Sequence, residues 1–247
     1  MKEWITGRNP VYEVLQAGRR QLFTLQVAAG VQEKGRLTEI LSLANARKIP
    51  IGRVPRPQLD RLSDNHQGVA LEASGYPYSG LDDILDLAAG RGEPLFVLAL
   101  DLVQNPQNLS SLLRTAEATG VHGVLIPLAR AATVTPAVVN ASAGASEHLL
   151  IAQVNLAQAI ARLKEGGAWV IGLEDSPQAQ PLQQVRLDGP LTLIVGNEGE
   201  GLRALVRQSC DLLASLPMRG RIESLNAAVA GSVALYLALQ AREAALK

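Results

Sequence analysis

The chain has 247 residues, 47% of them hydrophobic, which is enough to form the core of one large domain or of two. One cysteine (Cys210) and three dispersed histidines exclude a disulfide framework and give no metal-ligand spacing. The formal net charge is zero, which argues against a protein that holds nucleic acid by bulk electrostatics alone. No apolar stretch reaches the roughly 18–20 residues of a membrane span, and the start lacks the apolar core of a signal peptide, so we expect a cytoplasmic protein.

Short helices and strands alternate over the first 75 residues. The apolar positions Leu37, Ile40, Leu41 and Ala44 form a stripe typical of an amphipathic helix. The pattern predicts a compact αβαβαβ unit, with helices at 10–17, 36–48 and 58–62 and strands at 21–28, 49–54 and 68–73. Residues 1–75 carry 11 Lys or Arg against 7 Asp or Glu, so this part is basic and the remainder is acidic.

A dense turn signal separates this unit from the rest of the chain. The segment Ser74-Gly75-Tyr76-Pro77-Tyr78-Ser79-Gly80 predicts a first domain at 1–74, a linker at 75–80 and a second domain at 81–247. The second domain has apolar runs that indicate strands buried on both faces, at 95–100, 121–127, 168–173 and 191–195. Helices are predicted at 106–119, 156–164, 201–208 and 224–241, which gives a mostly parallel sheet with helices on both faces.

The first segment with candidate functional residues begins at Asn105, a good N-cap before Pro106 at the first helical position. Asn108 and Arg114 both lie off the apolar face of this helix, six residues or about 240° apart. A solvated helix surface accounts for both, and capping accounts for Asn105 and in part for Asn108. Capping does not account for Arg114.

The second segment is the run Gly196-Asn197-Glu198-Gly199-Glu200-Gly201, which follows a buried strand. Three alternating glycines allow a ligand to approach the backbone closely. The two acidic residues would repel a phosphate, so a cationic sulfonium with an adenosine group fits better than a dinucleotide. The alternative is an ordinary tight turn.

The third segment runs from Leu216-Pro217-Met218 to Ser224-Leu225-Asn226 at the start of the last helix. Ser224 is a natural N-cap. Asn226 is expected inside the first turn of a very apolar helix, where a buried amide needs hydrogen-bond partners. A substrate or a facing loop would supply them.

In order and spacing, these three segments resemble the motifs of the SpoU/TrmH family of SPOUT methyltransferases. Ser142-Ala143-Gly144-Ala145 also looks like the family, and Ser110 departs from it where glycine is usual. Gly7-Arg8-Asn9-Pro10-Val11 and His66-Gln67-Gly68-Val69 resemble the L30e-like RNA-binding domain of the ribosomal-RNA guanosine 2′-O-methyltransferases in that family. The resemblance covers nearly the whole chain.

The resemblance implies an L30e-like N-terminal α/β domain followed by a SPOUT α/β domain with a trefoil knot. It also implies a homodimer that methylates a guanosine ribose 2′-hydroxyl in large-subunit ribosomal RNA with S-adenosylmethionine, with no metal. The catalytic residues would be Asn108, Arg114, Glu198, Ser224 and Asn226. The cofactor would contact Gly172, Leu173, Gly196, Asn197, Glu198, Gly201, Leu216, Pro217, Met218, Ser224, Leu225 and Asn226.

Two alternatives remain open at this stage, and a third is disfavoured. The RNA could be transfer RNA, or the chain could be a catalytically silent RNA-binding protein on the same fold. An ordinary dinucleotide enzyme would need G-x-G-x-x-G after its first strand, and Asp101-Leu102-Val103-Gln104-Asn105 contains no glycine. The last helix is apolar almost all round and needs cover on more than one side. The resemblance implies that it packs at a dimer interface, where small residues would allow close helix approach: Ala227, Ala228, Gly231, Ala234 and Ala238.

Overall fold

The computed structural model of the protein describes residues 2–197, 199, 201–222 and 224–246. The chain divides into two compact units. The first holds Met1–Pro77 together with Thr133–His148, and the second holds Tyr78–Ala132 together with Leu149–Lys247. In the described part of the chain, no helix is long and apolar enough to cross a membrane.

The first unit is built on a four-stranded mixed sheet with the order β1-β4-β2-β3. Strands β1 and β2 run antiparallel to β4, and β3 runs parallel to β2. Its strands are β1 (Lys2–Thr6), β2 (Leu22–Ala28), β3 (Ile51–Val54) and β4 (Val69–Ser74). Its helices are α1 (Arg8–Ala17), α2 (Arg36–Ala46), α3 (Arg56–Asp60), α6 (Pro136–Ala141) and a 3₁₀ turn at Ala145–His148.

The predicted αβαβαβ order is wrong at its start, because β1 precedes the first helix and pairs with β4 along five residues. Helix α1 also begins two residues earlier than expected. It ends where Gly18 takes a left-handed conformation with φ of 63° and donates its N–H to the Val14 carbonyl, as glycine C-caps commonly do.

A buried ion pair ties the 133–148 segment into the first unit. The Arg20 guanidinium donates to both carboxylate oxygens of Glu147 at 2.9 and 2.7 Å, and also contacts Glu3 at 3.0 Å. The side chains of Arg20 and Glu147 are 0% and 1% exposed. Tyr76 donates to the Ser146 carbonyl at 2.9 Å in the same region. Sequence patterns gave no sign that this distant segment belongs to the first unit.

We expect Arg20→Ala to lower the free energy of unfolding by roughly 3–5 kcal/mol, because it leaves the Glu147 carboxylate buried without its main partner. Urea unfolding of the full chain measures this loss. The matched control is Arg56→Ala, whose side chain is 72% exposed beside Asp60 and should contribute about 0–1 kcal/mol. Equal losses for the two variants would contradict a structural role for the buried pair.

The second unit is built on a seven-stranded sheet with the order β7-β6-β5-β10-β8-β11-β9, and every described pairing is parallel. The strands are β5 (Phe96–Leu100), β6 (Gly123–Pro127), β7 (Leu150–Val154), β8 (Trp169–Leu173), β9 (Gln180–Pro181), β10 (Leu191–Val195) and β11 (Leu212–Ser215). The helices are α4 (Leu81–Arg91), α5 (Pro106–Ala118), α7 (Leu156–Glu165), α8 (Ala204–Ser209), α9 (Ala227–Ala245) and a 3₁₀ turn at Leu182–Gln184.

Helices cover both faces of this sheet, as predicted. Ile194 of β10 belongs to the core cluster that includes Ile160 of α7 and Val206 of α8. The next residue, Val195, faces Gly231 of α9, and successive strand residues point to opposite faces. The sequence prediction located four of the seven strands and omitted α4, β7, β9 and β11 here, as well as α6 in the first unit.

Candidate functional site

A cavity of about 580 Å³ opens at the carboxyl ends of three neighbouring strands, β8, β10 and β11. Ligands of open parallel sheets bind at this edge. The cavity contains eight residues from the predicted cofactor set: Leu173, Gly196, Asn197, Gly201, Leu216, Met218, Ser224 and Leu225. It is also lined by ten residues outside that set: Glu174, Asp175, Val195, Gly199, Leu202, Arg207, Ala214, Ser215, Ala227 and Ala230.

The glycine-containing loop after β10 folds back on itself. Asn197 and Gly201 exchange two backbone hydrogen bonds of 3.1 and 3.0 Å, and the Asn197 side chain accepts from the Gly199 N–H at 3.3 Å. A Cβ on Gly196 would lie 2.5 Å from the Gly201 backbone carbonyl, so only glycine fits there. This close contact makes the loop one wall of the cavity. Glu198 lies outside the described residues.

Two carboxylates follow β8 and give the cavity its negative charge. Glu174 is held by the Arg207 guanidinium at 2.9 Å, and its backbone N–H donates to the Ala214 carbonyl at 3.0 Å. Asp175, next to it, is exposed. Opposite charge favours a cationic ligand over a phosphate at this site. An acidic pair directly after a buried strand was the signal that the sequence analysis passed over.

The start of α9 corrects two expectations about the third segment. Asn226 caps the helix, since its side-chain oxygen accepts from the N–H groups of Ala228 and Val229 at 2.9 and 3.2 Å, so Ser224 is not the cap. Asn226 is exposed and not buried within the first turn. Its amide nitrogen donates to the Asn108 side-chain oxygen at 3.1 Å. The hydrogen-bond partner that was expected for Asn226 is therefore Asn108, and the third segment contacts the first one through this bond.

Helix α5 begins as predicted, because the Asn105 side chain accepts from the Gln107 N–H at 2.8 Å. Ser110 donates its hydroxyl to the Pro106 carbonyl at 2.6 Å within the same helix. Arg114 lies six residues after Asn108, about 9 Å further along the helix axis. It is exposed, it is not among the cavity-lining residues, and no described residue forms a hydrogen bond or ion pair with its side chain.

The remaining predicted residues lie around the cavity without lining it. Gly172 is packed inside the sheet, where a Cβ would lie 2.6 Å from Leu202 and 2.9 Å from Cys210. Pro217 lies between the lining residues Leu216 and Met218, and Asn226 follows the lining residue Leu225. Among the described residues, no group of three or more His, Cys, Asp and Glu side chains is placed to hold a metal ion.

Family models match both parts of the chain. The SpoU rRNA methylase family matches residues 95–236, and the RNA 2′-O-ribose methyltransferase substrate-binding model matches residues 4–79. The chain belongs to the SpoU methylase family. It is an RNA 2′-O-ribose methyltransferase that uses S-adenosylmethionine, and the family, fold class, enzyme class and cofactor predicted from the sequence are confirmed.

Curated relatives agree with this assignment, and a solved structure shares the fold. A Bacillus subtilis protein whose name places it in the TrmH family of tRNA/rRNA methyltransferases is 39% identical over 236 residues, covering 95% of this chain and 94% of that one. An uncharacterized tRNA/rRNA methyltransferase of Mycobacterium avium is 44% identical over 94% of this chain and 75% of that one. The SpoU methyltransferase AviRb of Streptomyces viridochromogenes, crystallised with S-adenosylmethionine, has the same fold (TM-score 0.82, 23% identity, 98% of this chain and 91% of that one).

The cavity of this SpoU-family protein suits its cofactor. Asp175 and the Arg207-paired Glu174 would offer carboxylates to the cationic groups of the cofactor, and Leu173, Val195 and Leu225 would offer apolar surface to its adenine. Gly196 and Gly201 line the same cavity and add no side chains to it. When bound, S-adenosylmethionine supplies an electrophilic methyl group.

Proposed function

We propose that this SpoU-family protein methylates the ribose 2′-hydroxyl of a guanosine in large-subunit ribosomal RNA, and that it does so in the cytoplasm as a homodimer. The proposal rests chiefly on the Asn226–Asn108 hydrogen bond, which joins two motifs beside the cofactor cavity. The SpoU rRNA methylase match over residues 95–236, and the resemblance of the motifs at 7–11 and 66–69 to those of ribosomal-RNA enzymes, favour ribosomal over transfer RNA.

In this proposal, Asn108 and Asn226 orient the ribose, because Asn226 follows the cavity-lining residue Leu225 and its amide nitrogen donates to Asn108. Ser224, in the cavity wall, is a further hydrogen-bond partner, and Glu198 in the glycine loop completes the set. Arg114 stabilises the negative charge that develops on the 2′-oxygen and contacts the adjacent phosphate. It does not serve as the base, since a guanidinium stays protonated below pH 12. The proton leaves through phosphate or water.

The first unit, in this proposal, supplies RNA affinity and target choice. Residues 1–75 are basic, and the side chains of Arg47, Lys48, Arg56 and Arg61 are exposed. Exposed cations attract the RNA backbone without reading its sequence.

Deleting residues 1–74 is a poor test, because it removes Arg20 and leaves Glu147 without its main partner. Substitutions at the exposed arginines are preferable.

Methyl acceptance by separated RNA fractions tests the choice of substrate. Large-subunit RNA, small-subunit RNA and transfer RNA are purified from cells lacking the gene and incubated with the enzyme and tritiated S-adenosylmethionine. We expect label in the large-subunit fraction. Label confined to the transfer-RNA fraction would show that transfer RNA, and not ribosomal RNA, is the substrate. An absence of label in every fraction, despite measured cofactor binding, would support a catalytically silent RNA-binding protein.

The dimer proposal rests on an apolar stripe along α9. Val229, Val233 and Tyr236 follow one another at helical spacing and are 48%, 42% and 49% exposed. Exposed apolar side chains in a row indicate an interface. The small residues that were predicted at this interface are instead buried inside the chain: Ala234 is 0% exposed, and a Cβ on Gly231 would lie 2.5 Å from Leu112 of α5. They allow α9 to pack on its own domain.

Val233→Glu should weaken self-association by about a hundredfold or more, because two-fold symmetry places the new carboxylate twice in one apolar interface. Sedimentation at micromolar concentration distinguishes a dimer from the 26.2 kDa monomer. Ala245→Glu, at the exposed end of the same helix, is the matched control and should leave the dimer intact. A wild-type protein that sediments as a monomer and still methylates RNA would contradict the dimer.

A further inference from the structure

A second cavity, of about 330 Å³, lies at the carboxyl ends of β6 and β7. It belongs to the same sheet edge as the cofactor cavity. The segment between residues 201 and 207 contributes to both: Gly201 and Arg207 line the cofactor cavity, while Arg203 and Leu205 line the second one. An RNA strand whose ribose reaches a cofactor in the first cavity can therefore contact the second cavity.

The charged side chains that line this second cavity are both arginines, Arg130 and Arg203, among the described residues. Arg130 is exposed, and in the described part of the chain its guanidinium has no hydrogen-bond or ion-pair partner. Arg203 is fixed in position by Asp101, whose carboxylate accepts from the Arg203 Nε at 2.6 Å and from its backbone N–H at 2.8 Å. Asp101 is 0% exposed, whereas 44% of the Arg203 side chain remains accessible. Positive charge therefore reaches the cavity, and the compensating carboxylate is buried.

Backbone donors add to this positive charge. Helix α7 starts at the cavity, and its first two residues, Leu156 and Ala157, line it. The N–H groups of a first helical turn have no partner within the helix and favour an anion. The Asn155 side chain caps this turn by accepting from the Gln158 N–H at 3.4 Å.

Two exposed leucines flank the same cavity. Leu128 and Leu205 are 69% and 63% exposed, which is unusually high for large apolar side chains. A free inorganic anion would gain nothing from them. A nucleotide offers both an anionic phosphate and an apolar base or sugar face, so it matches the two arginines and the two leucines together.

We propose that this second cavity binds a nucleotide next to the one that is methylated, with its phosphodiester at Arg130 and Arg203 and its base or sugar against Leu128 and Leu205. The inference rests on the proposed RNA methylation. It adds a subsite that fixes how the RNA strand lies along the sheet edge. Arg203 also neutralises buried Asp101, so its removal would disturb folding, and Arg130 is the informative position.

The test measures RNA affinity as a function of salt for Arg130→Ala. The probe is a fluorescein-labelled 20-nucleotide single-stranded RNA, followed by anisotropy. We expect binding to weaken about tenfold at 0.1 M salt, since one charge-assisted contact is lost, and the salt slope to fall by about 0.7. Arg130→Lys should keep the slope. The matched control is Arg162→Ala, an exposed arginine on α7 that pairs with Asp82 away from the cavity.

Three further measurements separate the possible failures. Cofactor affinity should be the same in all variants, and Arg130→Ala should raise KM for the RNA fraction that accepts methyl more than it lowers kcat. If Arg130→Ala matches Arg162→Ala in affinity and slope, the subsite is wrong while RNA methylation stands. Calorimetric binding of inorganic phosphate that depends on Arg130, without any effect on RNA, would show a free-anion site and overturn the proposal. No methyl transfer by the wild type would end the proposed function itself.

Discussion

Arg114→Ala is expected to lower kcat for methyl transfer by about 100- to 1000-fold, the cost of removing one group that stabilises charge in a transition state. The affinity for S-adenosylmethionine should stay within a few-fold of wild type, because Arg114 does not line the cofactor cavity. Single-turnover transfer from labelled cofactor to RNA gives the rate, and calorimetry gives the affinity.

Arg114→Lys distinguishes the two possible roles of this residue. If Arg114 acts as a positive charge, lysine should recover part of the rate with a flat profile between pH 7 and pH 9. If the position supplied a base, the lysine variant would become faster as pH rises towards the ordinary lysine pKa of about 10.4. Arg186→Ala, which removes an exposed arginine paired with Asp188, is the control for a general loss of charge. Wild-type turnover by a folded Arg114→Ala protein would remove the residue from the mechanism.

Gly196→Ala should weaken cofactor binding by about a hundredfold or more. The added methyl group would lie 2.5 Å from the Gly201 carbonyl and 2.9 Å from the Leu202 nitrogen, and these are backbone atoms that cannot rotate away. The loop that forms one wall of the cavity would have to shift. Calorimetric titration with S-adenosylmethionine measures the effect.

The control for this change is Gly189→Ala, where an added Cβ would meet nothing within 4 Å. That variant should bind the cofactor as the wild type does and unfold at nearly the same urea concentration. Normal cofactor affinity in a folded Gly196→Ala protein would mean that the loop does not form the wall of the cofactor site.

Local patterns predicted the elements whose signals are local. The Asn105 cap, the buried strand before Gly196 and the parallel sheet all follow from residue types within a few positions of one another. The cavity at the ends of β8, β10 and β11 was also predictable, since strand ends and glycines mark it. The same rule, applied to Glu174 and Asp175 after β8, would have added both carboxylates to the predicted site.

The features that were missed depend on contacts between distant residues. Strand β1 begins with two charged residues, and it is a strand because it pairs with β4 about 70 positions later. The 133–148 segment joins the first unit through the Arg20–Glu147 pair, which spans 127 positions. Asn226 was expected inside the helix, but the helix starts at Ala227, one residue after it. The Asn226 side chain donates a hydrogen bond to Asn108, 118 positions away. No window of local sequence contains these pairs.

Nucleoside analysis of the methylated RNA tests the central proposal most directly. Large-subunit RNA from cells lacking the gene is incubated with the enzyme and labelled S-adenosylmethionine, digested to nucleosides and separated by chromatography with mass detection. The proposal predicts a single labelled product, 2′-O-methylguanosine, that forms about 100- to 1000-fold more slowly when Arg114→Ala replaces the wild type. Label on a base, or labelled RNA in equal amount from the Arg114→Ala variant, would contradict ribose methylation at this site.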